Sequence, residues 1–326
     1  MAAHQLKIVR TVKDLRRIIG RWRAEGDTVA LIPTMGALHA GHLGLVKHAK
    51  KKADKAVVSI FVNPTQFAPT EDLSRYPRDE AGDLEKLASV GTDLVWAPTV
   101  AEMYPAGSAT HIVPEGAALG LEGEFRPHHF GGVATVCCKL FSQVTPDFAV
   151  FGEKDYQQLC VIRQMVRDLD LAVKIIALPT VREKDGLALS SRNAYLTAEE
   201  RRIAPALNKA IREIALAMGA DPSRGHVSDM TGLTPGKIAA VCAKAKSQLL
   251  AAGFAKIDYV EVRDAETLAA MVSDPPGQTP NTGRAIATSS AKVSDPEGLT
   301  PKQDRPLRVL AAAWLGKTRL IDNVAA

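Results

Sequence analysis

Residues 28–42, TVALIPTMGALHAGH, combine a predicted strand, a glycine turn and the start of a predicted helix. The apolar run 29–32 is typical of a buried strand, and apolar side chains recur at helical spacing after the segment ends. The turn at Gly36 and the helix start predict an anion site, because the N-terminus of a helix carries a partial positive charge. His39 and His42 lie at this helix start, which indicates that the anion is a phosphate whose charge is stabilised during a reaction.

Two other interpretations of the histidine pair are a zinc site and ordinary solvated or core histidines. Zinc requires a third and usually a fourth ligand, and no Cys or His cluster with metal-ligand spacing accompanies the pair, so we predict no metal site. The glycine turn between strand and helix favours a nucleotide site over ordinary histidines. The segment matches neither the G-x-G-x-x-G dinucleotide motif nor the G-K-[ST] of a P-loop.

Length and composition indicate a globular protein. The 326 residues are enough for two domains, and the 46% hydrophobic and 24% charged residues exclude wholly disordered and fibrous proteins. The net charge is +5, but the basic residues are dispersed and aromatic residues make up only 5% of the chain. This pattern predicts attraction towards small anionic substrates and makes nucleic-acid binding the weaker alternative.

The remaining compositional features favour a cytoplasmic protein without membrane contacts. No apolar run approaches the length of a membrane span, and the first residues lack the apolar core of a signal peptide. The cysteines show no disulfide framework, which fits a reducing compartment. We expect them to be small buried hydrophobic residues: Cys137, Cys138, Cys160 and Cys242.

Strand and helix patterns alternate through the first part of the chain. An amphipathic helix from a capping-box-like start at Thr11 to Trp22 precedes the opening segment. After it, predicted strands at 57–62, 94–96, 148–151 and 173–177 alternate with predicted helices at 79–90, 133–144 and 156–169. This alternation of strands and helices predicts an α/β fold with a Rossmann-like, doubly wound parallel sheet. Polar motifs follow several of the predicted strand ends, so their side chains could line one crevice at that edge of the sheet.

The pattern changes in the last part of the chain, where we expect a smaller α+β domain. Predicted helices at 197–218 and 235–252 are followed by β-rich runs at 257–262 and 308–313. The expected domains are therefore 1–188, which binds the nucleotide, and 189–326, which acts as a lid. Residues 273–306 are rich in Pro, Gly, Ser and Thr without periodicity, which predicts a flexible insertion.

Two further segments carry side chains suited to phosphate. Lys154 and Asp155 follow a predicted strand at a helix start, where the lysine suits a phosphate and the aspartate suits a ribose or a helix cap. Ser190, Ser191 and Arg192 place two hydroxyls beside a guanidinium, a plausible phosphate clamp on a movable loop. A capped helix with a solvated lysine, and a plain surface turn, are the alternatives.

Other polar side chains suit a substrate that carries hydroxyls and a carboxylate. Gln66 ends a buried strand with an amide that can both donate and accept hydrogen bonds. Arg126, His128 and His129 precede a Gly-Gly helix entry and could recognise a carboxylate or ATP phosphates, or belong to an ordinary loop.

Five motifs occur in an order and spacing that resemble one known family. They are PTMGALHAGH, FVNPTQF, FRPHHFGGVATV, FGEKDYQQL and REKDGLALSSRN, and LGKTRLIDN at 315–323 resembles the family's C-terminal signature. Together they are similar to the pantothenate synthetase (pantoate–β-alanine ligase) family of the HIGH-motif nucleotidyltransferase superfamily. The resemblance covers nearly the whole chain except 273–306.

The resemblance implies an ATP-dependent ligase. ATP and pantoate would form pantoyl adenylate and pyrophosphate, and β-alanine would then displace AMP to give pantothenate. Mg²⁺ as a cofactor and a homodimer are also implied. A simple nucleotidylyltransferase and a basic nucleic-acid-binding protein remain the competing interpretations.

The resemblance also implies roles for individual residues. His42, as the proton donor, and His39, Lys154 and Arg192 would be catalytic, while Gln66 and Gln158 would contact pantoate or β-alanine. Arg126 and His129 are further candidates. The ATP site would consist of Met35, Gly36, Ala37, Leu38, His39, Ala40, Gly41, His42, Gly152, Glu153, Lys154, Asp155, Val181, Leu189, Ser190, Ser191 and Arg192.

Overall fold

A computed structural model describes residues 6–68, 71–221, 226–227, 234–271 and 306–326. Its first sheet is formed by β1 (Lys7–Val9), β2 (Val29–Thr34), β3 (Lys55–Ile60), β4 (Leu94–Trp96), β5 (Phe148–Gly152) and β6 (Lys174–Leu178). Helices of the same part are α1 (Val12–Ala24), α2 (Ala40–Ala49), α3 (Glu80–Ser89), α4 (Val100–Met103), α5 (Glu122–Phe125), α6 (His129–Val144) and α7 (Tyr156–Asp168). The predicted insertion lies, up to residue 305, outside the described residues.

The first sheet is parallel, with strand order β1-β4-β3-β2-β5-β6. The chain passes from β2 to β3 on one side and later adds β5 on the other side of β2, so β2 and β5 flank a topological switch point. In open α/β sheets, ligands bind at the carboxyl ends of the strands beside such a point. The predicted Rossmann-like class is confirmed, and the topology explains why separate motifs converge.

Both faces of this sheet are buried. Val29 and Leu31 pack into one hydrophobic cluster with α1, α6 and α7, while Ala30 and Ile32 pack into another with α2 and α3. Successive side chains of a strand point to opposite faces, which is why the run 29–32 is apolar throughout rather than alternating.

The C-terminal part contains α8 (Ala198–Ile203), α9 (Ala206–Ala217), α10 (Pro235–Ala251), β7 (Ala220–Asp221), β8 (His226–Val227), β9 (Lys256–Asp264), β10 (Leu307–Leu315) and β11 (Thr318–Ala325). Its main sheet is antiparallel, in the order β11-β10-β9, and its core includes side chains of α9 and α10. Leu187 belongs to the same core. The segment around Leu187 therefore packs with the C-terminal part, although the expected boundary follows residue 188.

Some details of the structure differ from the sequence predictions. The helix predicted over 197–218 is two helices, because Pro205 lacks an N–H and cannot continue the first one. Its predicted start is confirmed, since Thr197 and Glu200 form a capping box. Helix α6 begins at His129, four residues before the prediction at 133, and β11 was not predicted as a strand.

Two remaining expectations concern membranes and cysteines. Within the described ranges, no helix has the length and apolar character that crossing a membrane requires. All the cysteines are free, and they are buried except for Cys138, which is partly buried. Their predicted character as small buried side chains is confirmed for Cys137, Cys160 and Cys242.

Candidate active site

A cavity of about 770 Å³ opens at the carboxyl ends of β2, β3, β5 and β6. It lies between the parallel sheet and the C-terminal sheet, whose strand β11 forms part of its wall. Of the residues predicted from the sequence, those that line it are Met35, His39, Gly41, His42, Gln66, Arg126, His128, His129, Gly152, Lys154, Asp155, Gln158, Val181, Leu189, Ser190, Ser191 and Arg192. The four strands are neighbours in the sheet, so motifs that are far apart in sequence meet here.

The turn after β2 is built around a buried carboxylate. Asp83 of α3 is 1% exposed and accepts hydrogen bonds from the backbone N–H groups of Ala37 (2.8 Å) and Leu38 (2.7 Å). Gly36 adopts φ +80°, a backbone conformation that favours glycine. Because Asp83 occupies these amides, they are not offered to a phosphate. The members of the predicted ATP site that do not line the cavity are Gly36, Ala37, Leu38, Ala40 and Glu153.

His39 and His42 form a capping box at the start of α2. The Nδ1 atom of His39 accepts from the N–H of Gly41 (3.2 Å), and Nδ1 of His42 accepts from the N–H of His39 (3.3 Å). A neutral imidazole that accepts at Nδ1 carries its proton on Nε2. Both histidines line the cavity, so each can offer an Nε2–H donor to an anion while Nδ1 holds the helix.

Burial keeps both imidazoles neutral. Burial, together with the charge of Lys154, lowers the pKa of His39 to about 4. Burial and the neighbouring His39 lower the pKa of His42 to about 3. At neutral pH, His42 can therefore donate a hydrogen bond, but in the ligand-free protein it does not hold the extra proton of a general acid.

Lys154 and Asp155 occupy the turn after β5 and line the same cavity as the histidines. The Nζ of Lys154 lies 3.5 Å from Oδ1 of Asp155. Desolvation by itself would raise the pKa of Asp155, but the charge of Lys154 and then that of Arg192 lower it. The turn thus presents a cation and an ionised carboxylate to the same cavity.

The segment after β6 folds back along the cavity and contacts the first motif. The N–H of Leu189 donates to the carbonyl of Val181 (3.0 Å), and the N–H of Arg192 donates to Oγ of Ser190 (3.2 Å). The hydroxyl of Ser191 donates to the carbonyl of Ala37 (3.0 Å). This last bond joins two motifs that are 154 residues apart in sequence.

Both the oxygen and the nitrogen of the Gln66 side-chain amide contact a neighbouring side chain. Its Oε1 accepts from Nδ2 of Asn63 (3.2 Å), and its Nε2 lies 3.0 Å from the sulfur of Met35. Asn63 is 1% exposed and also donates to the carbonyl of Gly132 (3.1 Å). A Cβ at Gly132 would lie 2.6 Å from the N atom of Gln66, so only glycine permits this approach of α6.

Sequence reasoning missed Asn63 and Asp83, and for different reasons. Asn63 stands before a proline at a strand end, where an asparagine cap was a usable signal. Nothing in the local sequence distinguishes Asp83 from a solvated charge on a helix, and only the fold shows that it is buried under the turn.

Arg126 and His129 shape the wall beside Gln66. The guanidinium of Arg126 contacts the carboxylates of Glu71 and Glu122, each at 2.9 Å. His129 places Nδ1 3.1 Å from the carbonyl of Gln66, and burial with the charge of Arg126 lowers its pKa to about 4. Arg126 is thus paired with two carboxylates, one of which, Glu122, also pairs with Arg319.

The two glutamines of the FGEKDYQQL motif have different surroundings. Gln157 is 5% exposed, accepts from the N–H of Glu122 and donates to the carbonyls of Ala117 and Gly120. It therefore supports a neighbouring loop. Gln158 is partly buried in the cavity wall, where the sequence prediction placed a substrate contact.

A family model described as pantoate-beta-alanine ligase matches residues 7–325. The chain belongs to the pantoate-beta-alanine ligase family. This match confirms the resemblance that the five motifs and the C-terminal signature indicated.

Relatives within the pantoate-beta-alanine ligase family span the same length. Pantothenate synthetase of Mesorhizobium japonicum is 51% identical, covering 98% of this chain and 97% of that protein. The enzyme of Paramagnetospirillum magneticum is 52% identical, with 97% and 96% covered.

Solved structures of family members have the same fold. Pantothenate synthetase from Thermus thermophilus gives a TM-score of 0.76 at 40% identity, covering 97% of this chain and 98% of that chain. The Francisella tularensis ligase, complexed with beta-gamma ATP and beta-alanine, gives 0.70 at 31% identity, with 98% and 97% covered.

Proposed function

We propose that this chain joins pantoate and β-alanine at the expense of ATP, forming pantothenate, AMP and pyrophosphate in pantothenate biosynthesis. Family membership over residues 7–325 is the observation that carries this proposal. The cavity supports it, because hydrogen-bond donors, a lysine and an amide converge on one space. We propose that the part from residue 189 onward closes over this space as a lid.

In the first step, an oxygen of the pantoate carboxylate attacks the α-phosphorus of ATP. A bond forms between that oxygen and phosphorus, and the bond to the bridging oxygen of pyrophosphate breaks. Negative charge grows on the phosphates, where the Nε2–H groups of His39 and His42, the Nζ of Lys154 and the guanidinium of Arg192 stabilise it. Fixed donors in a shielded cavity are effective because they need no reorganisation during the reaction.

In the second step, the amine of β-alanine attacks the acyl carbon of pantoyl adenylate. The amide bond forms, AMP leaves with the electron pair of the C–O bond, and the amine releases a proton to solvent. The acyl group and the amine must meet in one orientation, and Gln66, fixed by Asn63 and Met35, is placed to hold them. Gln158 is the proposed second contact to pantoate.

Three further properties belong to this proposal. Mg²⁺ would accompany ATP and neutralise phosphate charge. The described ranges contain no group of three or more His, Cys, Asp or Glu side chains suited to a metal. An ion held mainly by phosphates and water needs few protein ligands, and Asp155 is one of the carboxylates that line the cavity. A homodimer and a cytoplasmic location are the other two properties.

A product assay tests the proposed function. Purified protein is incubated with ATP and pantoate, with and without β-alanine, and AMP, pyrophosphate and pantothenate are quantified. The proposal requires that AMP and pantothenate appear in equal amounts and only with all three substrates. AMP release that does not depend on β-alanine would favour a simple nucleotidylyltransferase.

A further inference from the structure

The C-terminal motif LGKTRLIDN ends in two polar residues that the proposed chemistry does not use. Asp322 and Asn323 lie on β11 and are only 5% and 3% exposed. They contact two cavity segments that come from the other sheet, namely 153–155 after β5 and 181–192 after β6. One dipeptide therefore joins the two segments proposed to hold the phosphates.

Asn323 binds the turn that carries Lys154. Its Nδ2 donates to the carbonyls of Glu153 (2.9 Å) and Lys154 (2.8 Å), and its Oδ1 accepts from Nε of Arg308 (2.7 Å). Carbonyls only accept and a guanidinium only donates, so these partners fix the orientation of the amide. An aspartate at position 323 would keep the contact to Arg308. Its second oxygen, however, is an acceptor and would face the two carbonyl oxygens, which are also acceptors.

Asp322 binds the segment that carries Ser190 to Arg192, through Arg182. Its carboxylate accepts two bonds from the guanidinium of Arg182, at 2.7 Å and 2.9 Å, and a third from Nδ2 of Asn208 at 3.0 Å. Paired, nearly parallel bonds of this kind fix direction as well as distance. The position of Arg182 is thus tied to β11.

Arg182 in turn holds a hairpin whose ends line the cavity. It donates to the carbonyl of Gly186 (3.1 Å), and its backbone pairs with Ala188 in an isolated antiparallel bridge. The next residues outward, Val181 and Leu189, are joined by a 3.0 Å backbone bond and face the cavity. Any shift of Arg182 therefore moves the base of the segment that carries Arg192.

We infer that Asp322 and Asn323 are positioning residues for the adenylation step. Together they set the separation between Lys154 on one segment and residues 189–192 on the other. This inference rests on the proposed function, because it assigns those two segments to ATP. The amine-transfer step depends on Gln66 and the wall after β3, which neither residue contacts.

Two single-atom exchanges test the inference in the full chain. Asn323→Asp turns a donor into an acceptor against the carbonyls, and Asp322→Asn turns an acceptor into a donor against Arg182. The matched control is Tyr156→Phe, which removes another buried bond between the two parts, from Tyr156 Oη to the carbonyl of Ala265 (2.8 Å). A thermal unfolding curve is recorded for each variant before the kinetic measurements and shows whether the variant is folded at the assay temperature.

Two half-reactions are then measured separately. We expect each exchange to slow pantoyl-adenylate formation from ATP and pantoate by about 10- to 100-fold, as a small misplacement of reacting groups does. The reaction of supplied, saturating pantoyl adenylate with β-alanine loses less than adenylate formation does, because no pyrophosphate remains to be positioned, and both reactions of Tyr156→Phe keep their wild-type rates. In Asp322→Asn, the amide hydrogen of Leu189 exchanges faster without any ligand, a readout that is independent of activity.

Other outcomes would overturn the inference. Equal loss in both half-reactions would show a general loss of folded enzyme, and unchanged adenylation would show that the contacts do not position ATP. If one variant does not fold, the other still decides, because each acts on a different segment. Absence of pantoate-dependent pyrophosphate release by the wild-type protein would instead contradict the proposed function itself.

Discussion

His39 and His42 cap the same helix through their Nδ1 atoms, with ring centres 4.1 Å apart. Each ring therefore has one nitrogen committed to the backbone and one N–H directed elsewhere. The same side chains hold α2 and line the cavity, so structure and proposed catalysis depend on different atoms of one residue.

The two roles of His39 can be separated by substitution. Asparagine is a good helix cap but lacks a donor at the position of Nε2. We expect His39→Asn to keep the folded state while pantoyl-adenylate formation falls by about 10²–10³, the usual effect of losing one such donor. Single-turnover quenched-flow kinetics measures the rate, and His48→Asn on the same helix is the control. Wild-type adenylation by His39→Asn would contradict the proposed donor role.

Lys154 provides the most direct test of phosphate binding after β5. Lys154→Met keeps most of the side-chain length and removes the charge. We expect the rate of adenylate formation to fall by a factor of the order of 10²–10³, because the variant lacks the positive charge that stabilises the developing pyrophosphate. Lys244→Met changes an exposed lysine of α10, outside the cavity, and should leave this rate unchanged. Equal rates for the two variants would show that Lys154 is not at the phosphates.

The histidines also predict how stability changes with pH. The pKa of His129 is about 4 in the folded protein, whereas an unfolded histidine has its usual value near 6.5. Below pH 6.5 the unfolded chain therefore takes up protons that the folded chain does not. The free energy of unfolding should fall as the pH drops from about 6.5 to about 4, by up to about 3 kcal/mol for this group.

Urea unfolding at a series of pH values measures this loss. His129→Asn retains a donor near the position of Nδ1 for the carbonyl of Gln66 but cannot titrate, so its stability should depend less on pH over the same window. An unchanged pH dependence in His129→Asn would show that the buried histidine does not carry the effect.

Neighbouring glycines at the start of α6 predict opposite effects. Gly132→Ala would place a Cβ 2.6 Å from the N atom of Gln66, so we expect a loss of about 1–3 kcal/mol in the free energy of unfolding and slower amide formation. At Gly131 the nearest atom would be 3.4 Å away, which is ordinary contact. Gly131→Ala should stabilise the helix by about 0.5–1 kcal/mol. Chemical denaturation with turnover measurements distinguishes the two.

Much of this architecture follows from local sequence pattern. The apolar run 29–32 predicts a strand buried on both faces, and the capping sequences at Thr11 and Thr197 predict helix starts that the structure confirms. These features depend on neighbouring residues, whose spacing is visible in the sequence.

Features that depend on distant contacts could not be predicted in this way. The backbone N–H groups of Ala37 and Leu38 have the carboxylate of Asp83 as their acceptor. The position of Arg126 in the wall of the cavity depends on its contact with Glu71. In sequence, Asp83 and Glu71 resemble solvated surface residues. Their partners become visible only when the parallel sheet brings its strand ends together.

Oxygen transfer from pantoate to AMP tests the central claim most directly. Pantoate labelled with ¹⁸O in its carboxylate is converted with ATP and β-alanine, and the AMP is analysed by mass spectrometry. Attack of the carboxylate on the α-phosphorus predicts that each AMP carries one labelled oxygen from pantoate. Unlabelled AMP, or label found in inorganic phosphate, would contradict an acyl-adenylate intermediate and with it the role assigned to this cavity.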